Sequence, residues 1–428
     1  MTFRGKVSVL VISGVIAIYA VVGGMLSPWT RAQQPINDST AQMRIFESVL
    51  KHIQNDYVDE PNLEKVRFGA LRGLVGGLDP YSSYLTAEQV REFNSNKSLN
   101  KVGIGAELSQ FSYLYVVSVV KGSNAEKAGL KIGDLIEYIE NKATRDISLY
   151  DAKQLINGDP GTAVNLRVLR PGEKPLTIKV IRGAYKTPPV ESRMEPGRIG
   201  VIKVYSLENG ETNDIKTHIS NLTKQGAEKI ILDLRGVATG TLDEGVATAN
   251  LFIRNGEIAK IIGKDGVVKK LYAADPSKAV YDGKLVVLID LGTAGAAEAV
   301  ASAVLERKRG EVVGERSFGA GTEQQLFTLR GGDGLLLTVA KWASASGVPF
   351  LGDDRQSTGI KPSVEVKRPE TPAPVEVDEL IDQQKENLQD PQVAPTPAPK
   401  AKPVVQEDIQ LKKALEILQD KAQAAKAG

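Results

Sequence analysis

Chemistry in this 428-residue chain would be expected where an apolar strand, 285-LVVLI-289, runs into a turn and then an Ala-rich helix. A strand–turn–helix of this kind presents a nucleophile at the head of the helix, exposed and close to backbone N–H groups. Between Gly295 and Ala297, where that nucleophile should stand, the side chains are a hydrogen and two methyls. None can attack. The chain has no cysteine, which excludes a thiolate nucleophile, a zinc–thiolate centre and disulfides. Its two histidines, His52 and His218, are too few for a multi-histidine metal site, and no cofactor is expected.

The elements around this turn have a clear order. "AQMRIFESVLKHIQNDYV" sets Ile45, Phe46, Val49, Leu50 and Ile53 at helical spacing, with His52 beside the stripe in a surface or edge-of-core role. A second helix is expected over Leu63 to Val75, and "GGLDPYSSYLT" then breaks the pattern. From Val102 to Arg182 short strands dominate. Val164, Leu166 and Val168, then Leu176, Ile178 and Val180, alternate with polar residues around Arg170-Pro171-Gly172, the pattern of a hairpin. Helices fit near Asn124–Gly129 and Leu149–Asn157.

Beyond Gly197 strands and helices alternate: a strand at Ile199–Ser206, a helix at Thr212–Lys224, a strand at Lys229–Leu234 and a helix at Leu242–Ile253. That rhythm predicts a mixed, multidomain α/β protein whose main sheet is largely parallel. His218 lies beside the Ile215/Ile219 stripe, a half-buried structural position. The tail is Pro-rich between Pro369 and Pro403, a linker, and ends in an amphipathic helix suited to docking on the body or on a partner.

Charge and hydropathy bound the partners. The formal net charge is +2 and aromatics are 5%, without a basic-aromatic stripe, so no nucleic-acid partner is expected. Arg4 and Lys6 precede an apolar run, Val7 to Leu26, long enough to span a bilayer as a helix. Basic residues ahead of the span put the bulk of the chain on the extracytoplasmic side of the inner (cytoplasmic) membrane. The expectation is an uncleaved anchor. The rival is a signal peptide cut near Thr30-Arg31-Ala32, which would leave a secreted periplasmic protein.

Several stretches together resemble the carboxy-terminal processing (tail-specific) serine peptidases. "LVGGLDPYSSYLT" is similar to the family's segment before its PDZ domain; "VGIGAELS", "GSNAEKAGLKIGDLI" and "LRVLRPGE" resemble that PDZ domain. "ILDLRG", "LDEGVATANLF", "VVGERSFGAGTEQQLF" and "TGIKPSVEV" resemble the peptidase core. The resemblance implies an anchor or signal at 1–32, a helical segment at 38–96, a PDZ-like domain at 97–185, a peptidase-like α/β core at 186–368, a linker at 369–403 and a terminal helix at 404–428. It also implies where a Ser–Lys dyad would lie. Gly292-Thr293-Ala294 and Glu298 match the family's G-[ST]-A-S-A-S-E turn, but its serine position is Gly295. Phe318 and Gly319 match its F-G-K-G, but the lysine position is Ala320, while the glutamine four residues on is retained as Gln324. The loop that helps hold the family's oxyanion reads Gly236-Val237-Ala238-Thr239-Gly240, so a β-branched residue replaces one glycine.

A Ser–Lys mechanism needs a hydroxyl to attack and an amine to take its proton, and these positions supply neither. Thr293 and Ser302 are the nearest hydroxyls, and Lys341 is an amine on a later strand. The resemblance therefore implies a pseudopeptidase that retains peptide binding, with Val102, Gly103, Ile104, Gly105 and Ala106 as the loop that captures a terminal carboxylate. Its expected partners are C-terminal segments of exported proteins, an active peptidase that it serves, the membrane, and further copies of itself through the terminal helices. The alternatives are an active endopeptidase with a non-standard nucleophile, or a structural scaffold.

Overall fold

A computed structural model of the protein describes residues 39–95, 102–110, 113–208, 210–353, 357–368 and 407–424. The expected anchor and the Pro-rich linker lie outside the described residues. Among the described residues no helix is long and apolar enough to cross a membrane. The chain divides into two compact units, residues 1–70 and 71–428. In the first, helix α1 (Ser39–Asp56) carries the expected stripe, but that stripe is not covered: Ile45, Phe46, Val49 and Leu50 are all exposed. Periodicity sets a helix, not its partner. His52 is exposed and bonded to Asp56, as a surface histidine should be. Helix α2 (Leu63–Gly76) crosses the division between the units.

The second unit contains three sheets. The small one is antiparallel, in the order β2 (Ala106–Gln110), β3 (Leu114–Val119), β4 (Leu135–Ile139), β6 (Ala163–Leu169), β7 (Leu176–Ile181), with β5 (Lys142–Ala143) attached to β4. Strands β6 and β7 form the hairpin predicted by alternation. Helix α4 (Asn124–Lys127) is a single turn capped by Ser123, and α5 (Leu149–Ile156) is capped by Ser148. α5 turns Leu149, Ala152 and Ile156 into this sheet's core, beside the edge strand β2.

The main sheet has six strands, with β17 (Val364–Glu365), β14 (Glu311–Gly314), β13 (Lys284–Ile289), β10 (Lys229–Asp233) and β9 (Ile199–Lys203) parallel and β8 (Glu191–Glu195) antiparallel at the edge. Both faces are buried, as parallel sheets require. Leu285, Val287 and Ile289 of β13 face one core, which includes α6 (Glu211–Lys224), α7 (Leu242–Asn250) and α8 (Ala296–Glu306). Val286 and Leu288 face the other, which is closed by Ala414 and Leu418 of the last helix, α9 (Ile409–Ala424). The tail helix thus docks on the body.

A further sheet went unread in the sequence. It runs β1 (Ser83–Leu85), β16 (Gly334–Ser344), β11 (Glu257–Gly263), β12 (Val268–Ala273), with β15 (Thr322–Thr328) on the other edge of β16. β1 follows "GGLDPYSS" and is followed by α3 (Ala87–Asn94), whose capping box joins Thr86 and Gln89. Ile258, Ala259, Ile261 and Ala340 from this sheet join the core that holds α8. Helix α8 is therefore packed from more than one side and every residue from Ala296 to Val304 is buried. That explains its composition: small side chains let neighbouring backbones approach, and no solvent-facing stripe is required.

One ionic clip fastens α9. Arg235, 14% exposed, donates to Asp233 (2.7 Å) and to both oxygens of Asp408 (2.8 Å each) just ahead of α9. Burial opposes ionisation of Asp233, but Lys203 and Arg235 outweigh it and hold the carboxyl at about 2. Leu418→Ala should remove a side chain that is 3% exposed in this layer. The expected cost is about 2–4 kcal/mol of unfolding free energy, read as a lower denaturant midpoint.

Candidate functional site

Gly295 stands between β13 and α8 with φ +58° and ψ −110°, a backbone conformation that costs an L-residue about 1–2 kcal/mol. A Cβ there would meet only the Trp342 ring, at 3.5 Å, an ordinary contact. Space for a side chain exists; the backbone strain of holding one is what glycine avoids.

The turn is fixed by Glu298, which is fully buried. One of its oxygens accepts the Gly295 N–H at 2.7 Å and the Ala320 N–H at 2.8 Å; the other accepts Gly319 N–H at 2.7 Å and the Ser317 hydroxyl at 2.5 Å. A single carboxylate oxygen thus receives the backbone of both positions at which a dyad would lie. Burial pushes the Glu298 carboxyl up to about 7, against the pull of these four donors. The Ala320 methyl joins an apolar cluster in which Tyr115 of the small sheet stacks on Phe318 at 5.8 Å, beside Ala294.

A second carboxylate ties in the neighbouring loop. Asp290 Oδ1 accepts Gly236 N–H (2.8 Å) and Gly292 N–H (3.0 Å), while Oδ2 pairs with Arg368 (2.9 Å). Thr239 does not take a positive φ; its carbonyl accepts Leu207 N–H, and Gly240 has φ +149°.

The candidate substitutes for a nucleophile are occupied elsewhere. Thr293 Oγ1 donates to the Leu234 carbonyl at 3.0 Å and is buried; Ser302 Oγ donates to the Ala299 carbonyl at 3.2 Å. Lys341 pairs with Asp353 at 3.4 Å. Gln324 is exposed on β15, where its amide donates to Thr322 and Thr338 hydroxyls (2.7 and 3.3 Å). Thr338 in turn donates to Asp79 of the "LDPYS" stretch at 3.0 Å, so Gln324 belongs to a network that pins that stretch to β16. A hydroxyl–imidazole contact does occur between Ser192 and His218 (2.7 Å), on the edge strand β8 and α6, with His218 half-buried as read from sequence.

The loop Val102–Ala106 is drawn into the small sheet by its carbonyls. Val102 pairs with Gly158; the carbonyls of Gly103, Ile104 and Gly105 accept from Gly183, Ala125 and Val120. Among the described residues no oxygen accepts the N–H groups of Gly103, Ile104 or Gly105. Gly105 has φ +84°, and a Cβ on it would come within 2.2 Å of the Ser123 Cβ. Ala106 then opens β2, an edge strand with α5 beside it. Consecutive free N–H groups at the head of an open edge form an anion nest joined to a template for an added strand.

Glu298 gives a pH signature. Its folded value lies above the unfolded one near 4.5, so its stabilisation is complete below that pH and is lost as pH rises through about 7. Unfolding free energy of the natural chain should therefore decline with pH across this window more steeply than that of Glu298→Gln. The variant should also lose about 1–3 kcal/mol, because its amide NH₂ must face backbone donors. Denaturant titrations at several pH values measure both.

Comparison with known proteins agrees with this geometry. Peptidase family S41 matches residues 198–366, and a PDZ domain matches residues 115–170. The chain is 34% identical over 323 residues to carboxy-terminal processing protease CtpA of Bacillus subtilis, covering 75% of this chain and 68% of that protein. It is 31% identical over 368 residues to a probable CtpA-like serine protease of Staphylococcus aureus, covering 85% and 72%. Among solved structures, the photosystem II D1 C-terminal processing protease superposes with a TM-score of 0.63 at 26% identity, over 75% of this chain and 86% of that one. With a parallel α/β core, an antiparallel PDZ domain ahead of it and relatives matched over most of their length, the chain belongs to peptidase family S41, among the PDZ-bearing carboxy-terminal processing proteases.

Proposed function

We propose that this chain is a catalytically inactive member of its family that binds C-terminal segments of exported proteins through its PDZ domain. One observation carries the reading: Glu298 gathers the backbones of Gly295 and Ala320 onto one oxygen, while neither position bears a group that can attack or accept a proton. Losing such a nucleophile elsewhere costs about 10⁶-fold in rate. The local hydroxyls Thr293 and Ser302 are committed to backbone carbonyls, which argues against a displaced nucleophile at this turn.

Recognition depends on other atoms. The N–H groups of Gly103, Ile104 and Gly105 are suited to a terminal carboxylate, and the free edge of β2 to the strand that precedes it. In this reading the apolar run Val7–Leu26 anchors the chain in the cytoplasmic membrane, with the PDZ domain and core outside the cytoplasm, where exported clients are met. Bound clients would be presented to, or withheld from, an active peptidase.

Purified full-length chain should leave an unstructured protein substrate intact. Cleavage that is abolished by a point change here, His218→Ala included, would sink the proposal. A peptide with a free apolar C-terminus should bind roughly 10–100-fold more tightly than its amidated form, since charge-assisted hydrogen bonds are lost on amidation; equal affinities would count against carboxylate capture. The double substitution Gly295→Ser with Ala320→Lys should cost about 1–2 kcal/mol of stability for the strained serine. It should also introduce proteolysis, because an amine at 320 would be partly desolvated and its pKa lowered.

A further inference from the structure

A cleft of about 1330 Å³ opens on the antiparallel sheet, away from the PDZ loop. Its origin is a missing stretch of pairing. β15 occupies one edge of β16 from Gly334 to Lys341; on the other edge β1 pairs with residues 334–336 and β11 with residues 340–344. Leu337, Thr338 and Val339 have no strand partner there among the described residues. Side chains plug the gap instead: Ser82 Oγ accepts Thr338 N–H at 3.0 Å, and the Lys269 ammonium donates to the Val339 carbonyl at 3.0 Å.

The lining is unevenly charged. Lys260, Lys264, Lys269 and Lys341 line it, against Asp79 and Asp353, with Lys260 also paired to Glu257 at 3.0 Å. Asp79 is consumed by the Tyr81 and Ser82 N–H groups and the Ser82 and Thr338 hydroxyls. Asp353 is fully exposed and offers Lys341 only a 3.4 Å surface pair, the kind worth little in water. Lys264 has no carboxylate partner among the described residues. Beneath the lysines lie Ile262, Leu337, Val339 and Leu351, an apolar floor. The far end abuts the turn that holds Gly319, since Thr358 lines the cleft and its methyl fills the space above that glycine.

We propose that this cleft binds an extended acidic peptide segment, as a second recognition site independent of carboxylate capture by the PDZ domain. Long, concave and floored with aliphatic side chains, it suits a flexible chain whose Asp and Glu side chains reach the lysine rim. A flat anionic bilayer cannot enter it, and the apolar floor offers nothing to a bare phosphate.

The test uses full-length protein and a short fluorescent Asp/Glu-rich peptide with an amidated C-terminus, which bypasses the PDZ loop. Its Gln/Asn counterpart should bind at least about tenfold more weakly, and raising salt from about 50 to about 500 mM should weaken the acidic peptide by a similar factor. Lys264→Glu with Lys269→Glu, both exposed, should cost about tenfold, whereas Asp353→Asn should tighten binding by releasing Lys341. Affinity for the free-carboxylate apolar peptide should be unchanged in both variants, so the two sites fail separately. Equal binding of acidic and neutral peptides, indifference to both lysine changes, or stronger lysine-dependent binding to anionic vesicles than to the peptide would overturn the proposal.

Discussion

The candidate site depends on one buried side chain. Glu298 sits on the first turn of α8, yet four donors from two separate loops converge on it. An uncompensated carboxylate in such a position would be prohibitively costly, and four hydrogen bonds are what make it tolerable. Because three of these donors are backbone N–H groups, the arrangement needs no side-chain donor at 295 or 320, while Gly319 is held at φ +87° where the Thr358 methyl leaves no room for a Cβ. The turn can therefore keep its shape when the residues that would use it are absent. Asp290 does the same one loop away, holding Gly236 and Gly292 together, so two buried carboxylates maintain the architecture of the turn and its neighbouring loop.

The same separation runs through the molecule. α8 is buried throughout from Ala296 to Val304 and is built largely of small residues, and the strain at Gly295 is a property of the strand-to-helix turn. The PDZ domain presses Tyr115 onto Phe318, which brings the recognition fold against the turn that carries Ala320. The two regions are adjacent but built from different atoms: the Val102–Ala106 loop bonds to Gly158, Gly183, Ala125 and Val120, and the turn at Gly295 to Glu298.

Elements with a strong local period were legible in the sequence. The β6–β7 hairpin and α5 lie where apolar spacing put them, because burial on one face imprints a period of two or about 3.6, whereas β13 and α8, buried all round, were legible as a continuous apolar run and an Ala-rich helix. The sheet built on β16 was not. β1 is three residues long and pairs with a strand some 250 positions away, and β12 is exposed at most of its positions, so neither carries an alternating signal. Glu298 was legible as a residue type matching a motif, but its role was not, since its donors come from Ser317, Gly319 and Ala320, brought close only by the fold. The stripe of α1 errs the other way: a clear amphipathic pattern whose apolar side is left uncovered.

The closeness of Trp342 to Gly295 has a practical corollary. The chain has only two tryptophans, and the other, Trp29, belongs to the N-terminal segment. An indole whose ring edge lies 3.5 Å from where a side chain would begin at position 295 is a built-in optical probe of that vacancy. Its emission should respond to anything that enters, a new side chain or a threaded polypeptide alike, and so offers a view of this turn that does not depend on turnover.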